Sequence, residues 1–397
     1  MQALVGTRVL DFSQVMAGPY CTRLLVEMGA EVVKVEPPGG EVVRHRSPLS
    51  GGRSRYFGQL NAGKRSVVLD LAHPDGRAAA LALVRASDVL VENFRPGVMA
   101  RLGLDSPTCR EQNPSLVYCS ISGYGHHGPR DPGRPAVAPV IHAASGYDLA
   151  VAGYQAPGSD PPATGVFVAD VLAGALASSG ILAALAGREL TGEGAHVDIA
   201  LHDAMLSLLV EEVQVAQVEG ARTAPPYRPI RARDGFVMVG IVTTRQIVAL
   251  AELTGRPDIA DDPRFSESGP RRAHLEELHS LVEAWTRERS TADVENAMRA
   301  AGVPCTAYRT VAEQLADDAL LARGTLREAH DSAGAFTIVA SPIRLAMASG
   351  GLQPAPRGAF EVRDLGADTR DVLAQAGYDA TGIAQLIECG AACDAVA

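Results

Sequence analysis

Short apolar runs alternate with segments of helical period through the first third of the chain. Residues 7–12 read as a buried strand, 19–28 as a helix with Gly29 past its end, and 31–36 as the next strand. Residues 65–71, 75–86 and 88–92 repeat this strand, helix, strand scheme, and 116–121 supply a fifth strand. That order predicts an α/β protein with a mainly parallel, doubly wound sheet, whose ligands bind outside the carboxyl ends of the strands. Further on, an apolar stretch at 165–169 runs into a small-residue helix at 171–186. A turn at 190–194 leads to a strand at 196–200 and a helix reaching about 218. Residues 222–229 are a linker by composition. Beyond them the pattern changes to a short strand at 236–240 and charged amphipathic helices at 273–288 and 291–301, which predict a smaller α+β domain. The expected division is therefore 1–221, 222–322 and 323–397, with the last segment returning to the first domain.

Composition narrows the function classes. With 397 residues, 47% hydrophobic and 21% charged, the chain has globular make-up, and a net charge of -10 leaves no basic footprint for nucleic acid. The six cysteines, Cys21, Cys109, Cys119, Cys305, Cys389 and Cys393, form no framework, which predicts reduced thiols in the cytoplasm. The Cys389 and Cys393 pair has no further ligand at zinc spacing and reads as a loose tail. The amino terminus lacks a secretory pattern. Residues 165–187 are apolar enough to suggest a membrane span, but Asp170, Ser178, Ser179 and the Ala and Gly content favour a buried core helix, and no membrane association is expected.

Asp170 is the first candidate for chemistry, a lone carboxylate where an apolar stretch becomes a helix. Asp is a preferred N-cap, so it can serve the orphan amides of the first turn; stripped of water, it can also attack an acyl carbon. The loop at 14–20 sits where dinucleotide-binding proteins carry G-x-G-x-x-G, and the absence of that fingerprint argues against NAD. Ala17, Gly18 and Pro19 suit either a phosphate approaching a helix start or a plain turn. Glu92-Asn-Phe-Arg-Pro-Gly97 follows directly on a strand and offers an amide, a ring and a guanidinium for a nucleotide-like ligand, or simply a turn; Arg101 lies one helical stretch on. Gly123, Tyr124 and Gly125 belong to a glycine-rich loop, 122–129, flexible enough to fold over a ligand. Its His126 and His127 read as surface residues, and His142, His196 and His202 as structural ones; no metal site is expected. No G-x-S-x-G elbow is present.

Taken together these segments resemble the class III CoA-transferase family, which includes carnitine CoA-transferase-like proteins and α-methylacyl-CoA racemases. The resemblance is carried by Val9-Leu-Asp-Phe12 with Ala17-Gly-Pro19, L-x-x-x-G-A-E-V-V-K-V-E from Leu25 to Glu36, Asn61-Ala-Gly-Lys-Arg-Ser66, Asp88 through Gly97, Thr191-Gly-Glu-Gly194 and Leu365-Gly-Ala-Asp-Thr369. It implies a Rossmann-like large domain joined to a small one, two chains interlocked as an obligate homodimer, and Asp170 as nucleophile. It also implies that Val15, Met16, Ala17, Leu69, Asn93, Phe94 and Arg95 line a coenzyme A site, with Arg101 a phosphate ligand. CoA and acyl-CoA would be substrates, exchanged with a small carboxylic acid through aspartyl anhydride and aspartyl thioester intermediates. Backbone amides at the Asp170 helix start and in the Gly123 to Gly125 loop are the expected oxyanion donors.

Two stretches depart from the family pattern. Racemase members place a His just beyond a Gly-Pro-Arg element, whereas residues 133–139 here hold none, which favours transfer over racemisation. The aromatic and acid pair that many transferases carry there is missing too. The oxalate-specific branch has a glycine run where this chain reads Arg231-Ala-Arg-Asp-Gly235, so formyl-CoA and oxalate are not expected. Arg231 and Arg233 suit either a dicarboxylic acceptor or solvent. The alternatives to transfer are an acyl-CoA racemase and a CoA-binding protein without catalysis. The sequence does not name the acids.

Overall fold

Val9, Leu10 and Asp11 are all fully buried, so the strand Arg8–Asp11 (β1) has no wet face and belongs at the centre of a sheet covered on both sides. In the computed structural model, which describes residues 3–127, 133–155, 158–219, 227–347, 350–352 and 360–395, it does. The strands Glu31–Glu36 (β2), Arg65–Leu69 (β3), Val89–Glu92 (β4), Val117–Ser122 (β5) and His196–Ala200 (β6) complete its parallel part. The order across the sheet is Ala392–Cys393, β3, β2, β1, β4, β5, β6. Chain order therefore reverses at β1, and the loops after β1 and β4 part there to open a crevice.

Successive residues of β1 point to opposite faces and into separate cores. Val9 packs with Cys21, Leu25, Val32, Val89, Ala173, Ala177 and Ile181, beneath the helices Ala17–Glu27 (α1) and Val168–Thr191 (α2). Leu10 packs with Val35, Val67, Leu69, Leu83, Leu90, Leu373 and Leu386 on the other face, under the helices Pro74–Arg85, Thr369–Gln375 and Ala380–Glu388. The small-residue stripe of α2 exists because α1 lies close. A Cβ on Gly174 would stand 2.5 Å from the Ala17 carbonyl oxygen. That helix is long and apolar enough to cross a membrane by length and composition, yet its stripe from Ala169 to Leu185 is buried against the sheet and α1.

Several segments differ from their sequence-based assignment. The helix carrying Asp170 begins at Val168 and runs to Thr191, longer at both ends than 171–186. The helix after β6 is broken at Leu209 into Leu201–Leu208 and Val210–Val215. The tail around Cys389 and Cys393 is not loose: Ala391 and Ala392 are buried, Asp70 donates to the Ala391 carbonyl at 2.9 Å, and Ala392–Cys393 pairs antiparallel with β3. The hairpin Leu326–Asp331 and Gly334–Val339 instead forms a separate three-stranded sheet with Phe360–Glu361.

The chain divides into two compact units, Met1–Gln217 with Asp318–Ala397, and Val218–Asp317. The second junction precedes the expected 322 because the turn from Asp318–Ala322 to Leu326–Asp331 is closed locally by Thr325 donating to the Leu320 carbonyl. In the second unit Phe236–Val239 is the middle of a three-stranded antiparallel sheet. The helices Thr244–Thr254, Leu275–Thr286 and Thr291–Ala300 cover it around Val237, Leu250, Phe265, Leu278 and Met298. A capping box between Thr243 and Gln246 starts the first of these helices, which the hydrophobic pattern alone does not single out. Residues 222–226 of the linker lie outside the described residues.

Candidate active site

Asp170 occupies the third position of the first turn of α2, and the N-cap residue is Phe167, so Asp170 is not the cap that its residue type suggests. Another residue supplies that service. The ring of His142, fully buried, accepts the Ala169 amide at 3.1 Å through Nε2. Burial lowers the His142 pKa, which keeps the ring neutral and leaves Nε2 free to accept. Val168 donates to the Val166 carbonyl and Val171 to the Phe167 carbonyl. The Val168, Ala169 and Val171 amides are thus satisfied without the Asp170 carboxylate, which has no hydrogen-bond partner among the described residues. Burial alone pushes the Asp170 pKa up to about 6.

This carboxylate opens into a cleft of about 440 Å³, within the range of small-molecule sites. Val15, Met16, Ala17, Asn93, Phe94, Arg95 and Gly123 line it with Asp170, so eight of the residues singled out from sequence share one cavity. Three arginines, Arg46, Arg95 and Arg134, lie on its wall, and among the described residues none has an ion-pair partner. The Arg46 guanidinium stacks on the Tyr56 ring at 4.3 Å and lies 5.5 Å from the Phe167 ring, while Arg134 lies 5.0 Å from the Tyr124 ring. The Tyr56 hydroxyl is buried and has no hydrogen-bond partner among the described residues, and burial raises its pKa, with the Asp170 charge adding to the rise against Arg46. Residues 134–139 form another wall that holds Arg134 and apolar or proline side chains and carries no base.

Other assignments need correction. Leu69 does not line the cleft; it is 1% exposed, packed in the core opposite α1 and paired with Ala392. Arg101, exposed at the end of the short helix Val98–Arg101, is likewise outside the cleft wall. Tyr124 and Gly125 stand behind Gly123, with Tyr124 buried and its ring 5.7 Å from His202. The glycine-rich loop is tied down as far as residue 127: Gly125 donates to Ser122 Oγ, and the amides of His126 and His127 donate to Asp198. Residues 128–132, including the Gly-Pro-Arg element, lie outside the described residues. His126 is not a surface residue; its Nε2 is 3.7 Å from Glu92 Oε1, a carboxyl that burial raises to about 7. The amides of Val168, Ala169 and Gly125 are engaged and so are not available as oxyanion donors.

The loop after β1 is held instead from below. Asn93 clamps Gln14, accepting its amide at 2.8 Å and donating to its carbonyl at 2.8 Å. The Asn93 side chain therefore fixes the loop and keeps one N–H and one lone pair in reserve. Ser13 donates its amide to Asp11, and Lys34 donates to the Ser13 carbonyl at 2.8 Å. Lys64 reaches Asp11 at 3.0 Å, Asn61 at 2.8 Å and the Pro19 carbonyl at 3.0 Å. A Cβ on Gly18 would stand 2.2 Å from the Ser13 Cβ, so only glycine lets the chain fold back this tightly. The first turn of α1, which Met16 and Ala17 bring to the cleft, has no side-chain cap.

Sequence reasoning missed Arg46, Tyr56, Arg134 and Phe167, which no local pattern marks. Lys34 did carry a signal, as a charged residue inside the strand expected at 31–36. Arg231 and Arg233 are exposed in the second unit, Arg231 over the Phe236 ring at 5.1 Å. Among the described residues His73, Asp75 and Cys389 bring metal-ligating atoms together, but His73 Nδ1 already accepts the Asp75 amide as a helix cap.

Comparison with known proteins gives one answer. The family model described as CoA-transferase family III matches residues 4–359. A succinyl-CoA:mesaconate CoA-transferase of Haloarcula marismortui is 36% identical over 96% of this chain and 98% of its own length. A succinate–glutarate CoA-transferase of Agrobacterium fabrum is 33% identical over 81% of this chain and 84% of its own. The crystal structure of Rv3272 from Mycobacterium tuberculosis, 29% identical, superposes with a TM-score of 0.79 over 90% of this chain and 96% of that one.

Proposed function

This chain belongs to CoA-transferase family III, and from that premise we propose that it exchanges CoA between an acyl-CoA donor and a carboxylic acid through covalent intermediates on Asp170. The observation that carries the reading is a desolvated carboxylate with no hydrogen-bond partner among the described residues, facing a cleft walled by Met16, Ala17, Asn93, Phe94 and Arg95. With a pKa near 6, Asp170 is ionised at neutral pH yet poorly solvated, which is how an ordinary carboxylate becomes a nucleophile. The Asp170 oxygen attacks the thioester carbonyl and CoA leaves as thiolate, giving a mixed anhydride. The thiolate then attacks the aspartyl carbonyl, expelling the donor carboxylate and leaving an aspartyl-CoA thioester. The acceptor carboxylate displaces CoA in turn, and the thiolate attacks the acceptor's acyl carbon to release a new acyl-CoA and free Asp170. One thioester is broken and one is made, so no ATP is consumed.

Anionic tetrahedral species in these steps require nearby donors. The first turn of α1, which has no side-chain cap, suits them, whereas the Val168 and Ala169 amides of α2 are engaged. Phe94 packs on the pantetheine arm and Arg95 takes a phosphate, with Arg101 farther out, while Arg46 and Arg134 draw the anionic acid into the cleft. The relatives act on different acids by name, so the acceptor here is set by experiment. Interlocking of two chains as an obligate homodimer accords with apolar residues such as Val171, Leu176 and Val210 that a single chain leaves exposed. Free cysteines accord with the cytoplasm.

Incubation with acyl-CoA and then hydroxylamine or borohydride should derivatise Asp170, and a panel of acids against succinyl-, acetyl- and formyl-CoA should reveal one exchanging pair. Intact mass unchanged after trapping, with no exchange by any acid, overturns the proposal. Deuterium entering the α-carbon from solvent without an acceptor would assign racemisation instead.

A further inference from the structure

Val15 is the one non-glycine residue with positive φ among the described residues, at 68°. A β-branched side chain in the left-handed region is strained, and such strain persists only where the surroundings impose it. Here they do so with buried charge. Glu41 accepts the Val15 amide through Oε2 at 3.1 Å, while its Oε1 lies 3.3 Å from Lys34 Nζ. Both side chains are nearly inaccessible, 1% and 2% exposed. Lys34 also donates to the Ser13 carbonyl, so one ion pair grips the loop on both sides of Gln14. If the pair served only to neutralise Lys34, the second oxygen of Glu41 would have no reason to reach the amide of the strained residue. Val15 is followed by Met16 and Ala17, whose backbone begins α1 at the cleft, and α1 in turn meets α2 at Gly174, one turn beyond Asp170.

We propose that the buried Glu41–Lys34 pair is a positioning device for the reaction, holding Val15 left-handed and so aiming the start of α1 into the cleft that Asp170 faces. Resting on the transferase reading above, this makes Glu41 a positioning residue and not a catalytic one, because it touches the loop and not the cleft.

The experiment is a double-mutant cycle on the full-length protein, with turnover, KM for acyl-CoA, melting temperature and calorimetric CoA affinity measured for each variant. Glu41→Gln keeps the shape, but its single acceptor oxygen stays with Lys34, and its NH₂ then faces the Val15 N–H. Expected is a fall in kcat of about ten- to a hundredfold with KM changed much less, as for a small misplacement remote from the chemistry. In the Val15→Gly background, where positive φ is unstrained, the same Glu41→Gln change should cost only about twofold. An equal loss in both backgrounds, or wild-type turnover in Glu41→Gln, overturns the proposal. If Glu41→Gln does not fold, Glu41→Asp keeps the charge for Lys34 but falls short of the Val15 amide, and the same cycle applies. If the wild-type protein exchanges no acid, the transferase reading fails; coupling in CoA affinity between positions 15 and 41 then still supports the positioning role, and its absence overturns it.

Discussion

Two aspartates, Asp11 fully buried and Asp170 half-buried at the cleft, lie in one unit of this protein and have opposite electrostatic fates. Burial alone would raise the Asp11 pKa, but Lys64, Lys34 and the Ser13 and Thr22 hydroxyls outweigh it and hold the carboxyl at about 2. Asp170 meets burial with no such company and rises to about 6. Asp11 is the keystone of an ionic floor: its oxygens accept Ser13, Thr22 at 2.7 Å and Lys64 at 3.0 Å. Asp170 borders a cleft while His142 does the capping it would otherwise do. The comparison separates a carboxylate used to hold backbone from one without hydrogen bonds at a cleft, the condition that the proposed nucleophile requires. Where the hydrogen bonds and cations go decides the direction, since desolvation alone would raise both.

The comparison breaks most visibly if the two are exchanged in role. Asp170→Ala should lower CoA exchange by about a thousandfold or more, as loss of a covalent nucleophile does, with the fold intact by circular dichroism. Appreciable exchange in that variant would mean the lone carboxylate is not the nucleophile. Asp11→Ala, by contrast, strands the buried Lys64 and should cost about 3–5 kcal/mol in urea unfolding; a loss below about 1 kcal/mol would show that the floor is not structural.

The pH dependence sharpens the same contrast. With Asp170 needed as carboxylate, kcat/KM should fall about tenfold per pH unit below about 6, and a flat profile down to pH 5 would contradict the raised pKa. The smallest effect is on stability. Because the folded protein raises the Asp170 pKa from 3.8, its contribution is fully present below pH 3.8 and is lost as pH rises through about 6. Asp170→Asn should therefore be more stable than wild type by on the order of 1–2 kcal/mol at pH 8, after discounting for solvent screening, and the gain should vanish near pH 4. Asp11 runs the other way: its lowered pKa stabilises the fold above pH 3.8, and that contribution drains away as pH falls toward 2.

Much of the first unit was legible along the chain, because strands of buried Val, Leu and Ile separated by helical periods leave few ways to cover both faces of a sheet. Asp170 stood out for a related reason: a lone acid in an apolar run is unusual wherever the chain goes. Asn93, Phe94 and Arg95 were found because ligand loops follow strand ends at a switch point, which is a property of the topology. Leu69 was misplaced because a strand residue's face depends on its neighbours, here Ala392 from the far end of the chain. The tail containing Cys389 and Cys393 became a sheet edge for the same reason, since pairing across some 320 residues leaves no trace in local pattern.

The sequence by itself determined the elements, the mainly parallel sheet, the family resemblance and the identity of the unusual carboxylate, all of which rest on local periodicity or residue type. Only the tertiary structure decided that His142 would relieve Asp170 of capping, that Lys34, Lys64, Glu41 and Asp11 would share one dry floor, and that Arg46, Tyr56 and Arg134 would face the cleft. Those outcomes depend on desolvation and on which charges end up within a few ångströms of each other, and both are set by packing between segments distant in the chain.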